Sequence, residues 1–256
     1  SETTNLKPVT DNMEVHHHTH HPKKWKEYFW EFFMLFLAVF CGSLAELQLE
    51  HYIEHQREKK FANQLVLDLN SDDKNLLNYI EQQTLRSNRI DSLFTLIEQK
   101  VFDTNNDAIY FLARVLSRYG NYVPTDGTIS QLKFGGNLRL IKNNEIVASI
   151  LDYDNNNKVL VQFIATSFQD VLNYRVASEN LFDAGCFYKM TDISNEILRL
   201  KNCPPAKWSN VEHVNMFLMR LQYMKGANAR YVSLANQLLK KERALTMLIK
   251  KQYHLE

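Results

Sequence analysis

His51, Glu54 and His55 form the one string in this chain whose residue types and spacing match a known chemistry. In H-x-x-E-H, two histidines one helical turn apart bind zinc and the glutamate between them activates a water. The string sits in a charge-rich stretch with no identifiable third ligand, so a zinc hydrolase is the weakest of the functions considered. A second histidine-rich run, His16 to His21, holds five His in six positions. It could bind a transition metal in solution, but it lacks the fixed spacing of a built site. Glu31 and Glu46 are unusual in another way, because they bracket a stretch long enough to enter lipid. Cys41, Cys186 and Cys203 show no C-x-x-C spacing, which removes a thiolate zinc site and leaves Cys186 and Cys203 as a disulfide pair if that region meets an oxidising compartment. Neither a phosphate-binding glycine loop nor a G-x-S-x-G elbow is present, so no cofactor and no catalytic residue is expected.

The elements that carry these residues are helical. Only 7 Gly and 5 Pro occur in 256 residues, which fits long helices with few turns. Lys and Arg total 30 against 29 Asp and Glu, so overall charge argues against a nucleic-acid partner. From Tyr28 to Leu49, 22 residues pass without Lys or Arg, and as a helix they span about 33 Å, enough to cross a bilayer. Trp25, Tyr28 and Trp30 at one end and Tyr52 beyond the other suit the two interfaces. On a wheel, Glu31, Leu35, Ala38, Gly42, Ala45 and Leu49 share one face. Its small residues invite close approach by another helix, from a second copy or a second membrane protein. Lys23, Lys24 and Lys26 precede the span, whereas the next basic residue after it is Arg57. That asymmetry predicts a retained inner-membrane anchor with a cytoplasmic N-terminus and a periplasmic C-terminal domain.

Three parts are therefore expected: a flexible His-rich tail (1–22), a transmembrane anchor helix (23–50) and an α-helical extramembrane domain (51–256). Within the last, the anchor helix should continue to about Leu69, with a new helix capped by Ser71 running to about Val101. Further helices are expected over Asn106 to Tyr119, from about Asp126 or Thr128 to Gly135-Gly136, from Asn143 or Asn144 to Phe182, and over Ile193 to Leu200. The last long helix opens at a Ser209/Glu212 capping box and runs toward Tyr253. Its basic residues Lys240, Lys241, Arg243, Lys250 and Lys251 read as a solvated face. The sum is an all-α chain: one transmembrane helix continuing into an antiparallel helical bundle.

Five stretches carry a resemblance: "KEYFWEFFMLFLAVFCGSLAE", "EHYIEHQREKKF", "LVLDLNSDDKNL", "TISQLKFGGNLRLIKNNEI" and "LIKKQYHLE". Together they resemble a family of membrane-anchored proteins common in Bacteroidota, a domain of unknown function, over about Glu14 to Glu256. Gly135 stands where the family usually has Ser, and "DYDNN" where paired Tyr is more typical. The resemblance implies one N-terminal span, a helical extramembrane domain and a recurrent Glu31, and it brings no activity and no functional residues. The leading expectation is a non-enzymatic single-pass membrane protein whose helical domain scaffolds, senses or binds a partner. The alternative is a homo-oligomeric pore with Glu31 and Glu46 at its mouths.

Overall fold

The computed structural model describes residues 24–255. The His16–His21 run and the expected tail lie outside them. All regular structure among the described residues is helical: α1 (Trp25–Glu98), α2 (Phe102–Leu116), α3 (Gly127–Phe134), α4 (Asn144–Glu179), α5 (Ala184–Lys189) and α6 (Val211–Tyr253), with a 3-10 turn over Asn137–Leu140. An all-α chain with a long apolar N-terminal helix is what the residue pattern predicts. The described residues divide at Ile53/Glu54, a few positions beyond the expected boundary at residue 50.

Residues 54–255 make an up-down-up-down bundle, and ordinary side-chain contacts fix its course. The chain returns from α2 alongside α1, so that Arg86 meets Leu116 and Arg118, Asp72 meets Thr125, and Glu58 meets Lys142. The α4 helix then climbs parallel to α1, with Tyr153 at Asp72 and Tyr174 at Ala113. Finally α6 descends, from Phe217 beside Tyr174 through Asn228 at Gln83 to Tyr253 at Glu58.

Three helices hold this bundle together through one periodicity. Buried residues recur at alternating steps of four and three along α1 (Leu65, Leu69, Asp72, Leu76, Tyr79, Gln83), α4 (Ile146, Ile150, Tyr153, Asn157, Leu160, Ile164) and α6 (Leu221, Met224, Asn228, Tyr231, Ala235, Leu238). A 3.5-residue repeat keeps one seam of each helix facing its neighbours, as in coiled-coil packing. Each Leu or Ile so buried contributes about 1.5–3 kcal/mol from apolar surface removed from water.

The second arm is not one helix. The α2 helix opens at Phe102 and kinks at Asn105, four residues earlier than Asn106 would suggest and with non-helical φ/ψ there. It ends at Leu116 because two arginines from other helices take up its last carbonyls. Arg86 donates to the Leu116 and Arg118 carbonyls at 2.9 and 2.8 Å, and Arg175 to that of Ser117 at 2.8 Å. An extended stretch then leads to α3, and of the two glycines that follow only Gly136 takes a positive φ, +67°.

Three sequence expectations are corrected here. The α1 helix does not stop near Leu69 to restart at Ser71; it runs on to Glu98, short of Val101. The acidic residues after Ser71, which resemble a first helical turn, are acceptors for other segments: Asp72 takes the Thr125 amide at 2.7 Å and Asp73 the Arg243 guanidinium at 2.6 Å, as Asp68 just before them takes the Thr128 amide at 2.9 Å. No helix forms over Ile193 to Leu200, because Asp192 accepts from the Glu196 amide and the Ser194 hydroxyl and turns the backbone locally. The helix of that region is α5, capped by Asp183 on the Cys186 amide. At the start of α6, Asn210 and not Ser209 is the cap, accepting from the His213 amide at 3.1 Å. Asn143 does cap α4, accepting from the amides of Glu145 and Ile146.

Candidate functional site

Glu31, Leu35, Ala38, Gly42, Ala45 and Leu49 all lie exposed on α1, as does Glu46. The apolar window of that segment has none of its surface buried, and it is the helix among the described residues long and apolar enough to cross a membrane. Its large side chains are bare: Phe32 is 67 % exposed, Leu35 69 % and Val39 70 %. A soluble monomer rarely exposes a contiguous apolar surface of this extent. Two stacks of rings run along the helix, Phe29 on Phe33 and Phe32 on Phe36 on Phe40, with Phe36 and Phe40 centroids 5.8 Å apart. At Gly42 an added Cβ would meet nothing within 4 Å. A glycine inside a helix costs about 1 kcal/mol relative to alanine, and no neighbour in this chain requires that cost.

His51 and His55 are both exposed. Glu54 faces Arg139 at 3.9 Å, and His55 Nδ1 lies 3.6 Å from Glu58 Oε2. Glu58 itself accepts from the Lys142 amide at 3.1 Å and the Tyr253 hydroxyl at 2.7 Å. Glu54 is thus directed to the turn after α3, and among the described residues no group of three or more His, Cys, Asp or Glu gathers as a metal site.

Cys186 on α5 and Cys203 in the loop before α6 are joined as a disulfide, with their Cα atoms 5.7 Å apart, inside the range such bridges require. The bridge lies in the distal core with Tyr110, Phe182 and Phe217. Cys41 is free and exposed on α1.

The most perturbed chemistry in the bundle was not anticipated from the residue types. Asp72, fully buried, accepts from Tyr153 Oη at 2.6 Å and from the Thr125 amide. Burial raises its carboxyl above the usual range, and the bonds from Tyr153 and Thr125 oppose that rise. Glu242 on α6 is equally hidden: Oε1 accepts from Thr246 at 2.8 Å, and Oε2 is buried with no partner. Burial pushes the Glu242 carboxyl up to about 7. Next to it Asp73 is held low by Arg243. Tyr122, beside Asp72 and Glu242, and Tyr79, whose ring lies 5.9 Å from that of Tyr122, both bury their hydroxyls, and burial raises both phenols. Asp72 and Glu242 bring protons and charge into the core, on seam positions among its apolar residues. One signal could have found them. Asp72 falls in the heptad series between Leu69 and Leu76, and Glu242 between Leu238 and Leu245. Of the terminal basic residues, Lys241 and Arg243 pair with Asp152 and Asp73.

No family model, curated protein or solved structure matches this chain.

Proposed function

We propose that the chain is a non-enzymatic, single-pass membrane protein whose helical domain scaffolds, senses or binds a partner, and that the Ala38/Gly42/Ala45 face of the span is its contact with another helix. The observation that carries this reading is the exposed apolar stretch of α1 with a glycine that its own chain does not need. In lipid there is no hydrophobic drive between helices, so close backbone approach at small residues supplies the association. Glu31 and Glu46 lie toward the ends of the apolar run, where headgroups and water are within reach of a carboxylate. The Cys186–Cys203 bridge supports an oxidising compartment for the bundle, in keeping with a cytoplasmic N-terminus and a periplasmic domain in the inner membrane. The resemblance to a Bacteroidota family of membrane-anchored proteins is in keeping with this reading and adds no activity to it.

Native mass spectrometry of the protein extracted in mild detergent tests the reading. A dimer or a stable second protein that Gly42→Ile abolishes is the expected result. A lone monomer, or an assembly indifferent to Gly42→Ile, overturns the contact face, and a closed ring of four or more copies turns the reading to a pore.

A further inference from the structure

Five arginines converge where α2 ends: Arg86 and Arg89 from α1, Arg114 within α2, Arg118 just past it and Arg175 from α4. A helix C-terminus presents the equivalent of about half a negative charge, and Arg86 and Arg175 already meet its carbonyls. The other three are in excess of that need. Arg118 donates to Asn195 Oδ1 at 2.9 Å and to the Asn195 carbonyl. Arg114 reaches Ser117 Oγ and Thr191 Oγ1 at 3.1 Å each, lies 5.7 Å from the centre of the Phe187 ring, and buries its Nε without an acceptor. Arg89 makes no hydrogen bond or ion pair among the described residues.

Among the described residues none of the five pairs with a carboxylate, whereas Arg199, Lys225, Lys241 and Arg243 each do so elsewhere on the bundle. Carboxylates in the neighbourhood include Glu196, in the wall of the same cleft, Asp192, which accepts from the Glu196 amide, and Asp170, beside an adjoining narrow cavity. Burial draws the Arg86 and Arg114 guanidinium groups down from their ordinary values; on Arg86 the neighbouring Tyr174, Tyr231 and Tyr79 oppose that fall and Arg89 adds a little to it, whereas on Arg114 both Arg118 and Arg175 deepen it. This is positive charge in a partly desolvated place, and three of the five, Arg86, Arg89 and Arg118, line a cleft of about 460 Å³ together with Gln82, Phe111, Glu196 and Ile197.

We propose that this cleft binds a phosphate monoester dianion. Guanidinium forks match phosphate oxygens two at a time; Arg89 offers a whole fork, and Arg86 and Arg118 keep N–H groups beyond those given to Leu116, Arg118 and Asn195, a set that suits a doubly charged group better than a single carboxylate. Gln82 offers a further amide donor, and Phe111 and Ile197 provide an apolar wall for the carbon side of the ester. The site belongs to the bundle alone and stands whether or not the span contacts another helix. The same headgroup occurs on a free sugar or glycerol phosphate and on phosphatidic acid, so the test has two arms.

The full chain in detergent micelles is titrated calorimetrically with glycerol 3-phosphate, and separately with short-chain phosphatidic acid. Saturable binding is expected in at least one arm, weakened by added salt. Arg89→Gln is expected to weaken it about tenfold or more, the loss of one charge-assisted contact, with an unchanged melting temperature because Arg89 bonds to nothing in the fold. Binding of glycerol 3-phosphate assigns a soluble ester, and binding of phosphatidic acid alone assigns a lipid. No binding in either arm, or affinities that neither Arg89→Gln nor Arg118→Gln moves, overturns the proposal.

Discussion

Glu242→Gln should stabilise the bundle at alkaline pH and leave it nearly unchanged in acid. The carboxyl is 1 % exposed and titrates at about 7, against 4.5 for the same group in water. Because the folded value is the higher one, the folded state holds the proton more tightly, and the unfolded chain loses it first as pH rises. Stability therefore falls through the window from 4.5 to about 7 and is flat above it. Each unit of that window is worth about 1.36 kcal/mol, so about 3 kcal/mol is lost by pH 8. Glutamine resembles the protonated acid: its oxygen can still accept from Thr246, and its amide can donate to Asp73, whose carboxylate adjoins Glu242. In a domain of this size 3 kcal/mol corresponds to about 6–12 °C in melting temperature. Thermal melts of the full chain in detergent, followed by circular dichroism at pH 5, 6, 7 and 8, read the difference between the two proteins. Asp72 titrates in both and cancels. Parallel curves for wild type and variant across that range would refute the reasoning.

Three further outcomes follow from the same structure. Tyr153→Phe takes one of two donors from the fully buried Asp72 and is expected to cost about 1–3 kcal/mol in chemical denaturation. Arg86→Met leaves the Leu116 and Arg118 carbonyls short of a donor; it should lower stability by about 3 kcal/mol and fray α2, visible as faster amide exchange over its last turn. Replacing Cys186 and Cys203 together by Ser frees a loop spanning 17 positions and should cost about 3 kcal/mol by loop-closure entropy, with reducing agent producing the same fall in wild type and none in the variant.

What could be read along the chain was whatever depends on near neighbours. The apolar run, the Asn143 cap and the glycine stop after Phe134 are local, and each lies where its residues predict. Asp72 and Asp73 misled because their type, just after Ser71, suits a helix start, while their partners Thr125 and Arg243 come from distant segments. The end of α2 was equally hidden. Nothing near Leu116 says that an arginine 30 residues upstream will cap it. Asp72 and Glu242 were legible only through a strict four-three spacing, which apolar residues alone make easy to overlook when polar ones occupy some of its positions. The count of cysteines narrowed the candidates to Cys186 and Cys203, but whether they are joined depends on the compartment, and their approach to 5.7 Å between Cα atoms is a matter of tertiary packing.

The polar residues on the heptad seams bear on how the chain finds a single alignment. A seam made only of Leu and Ile accepts its partner almost as well after a slide of seven residues, so apolar packing leaves several registers close in energy. Asn228 donates to the Gln83 carbonyl at 2.6 Å and Asp72 takes the Tyr153 hydroxyl, contacts that one slide would break while leaving a carboxylate buried and unpaired. We hypothesise that these groups trade stability for uniqueness. Replacing Asp72, Asn157, Asn228 and Glu242 together by Leu should then raise the melting temperature while broadening the amide NMR spectrum into several sets of peaks. One sharp set from that variant would mean that loop lengths alone select the register.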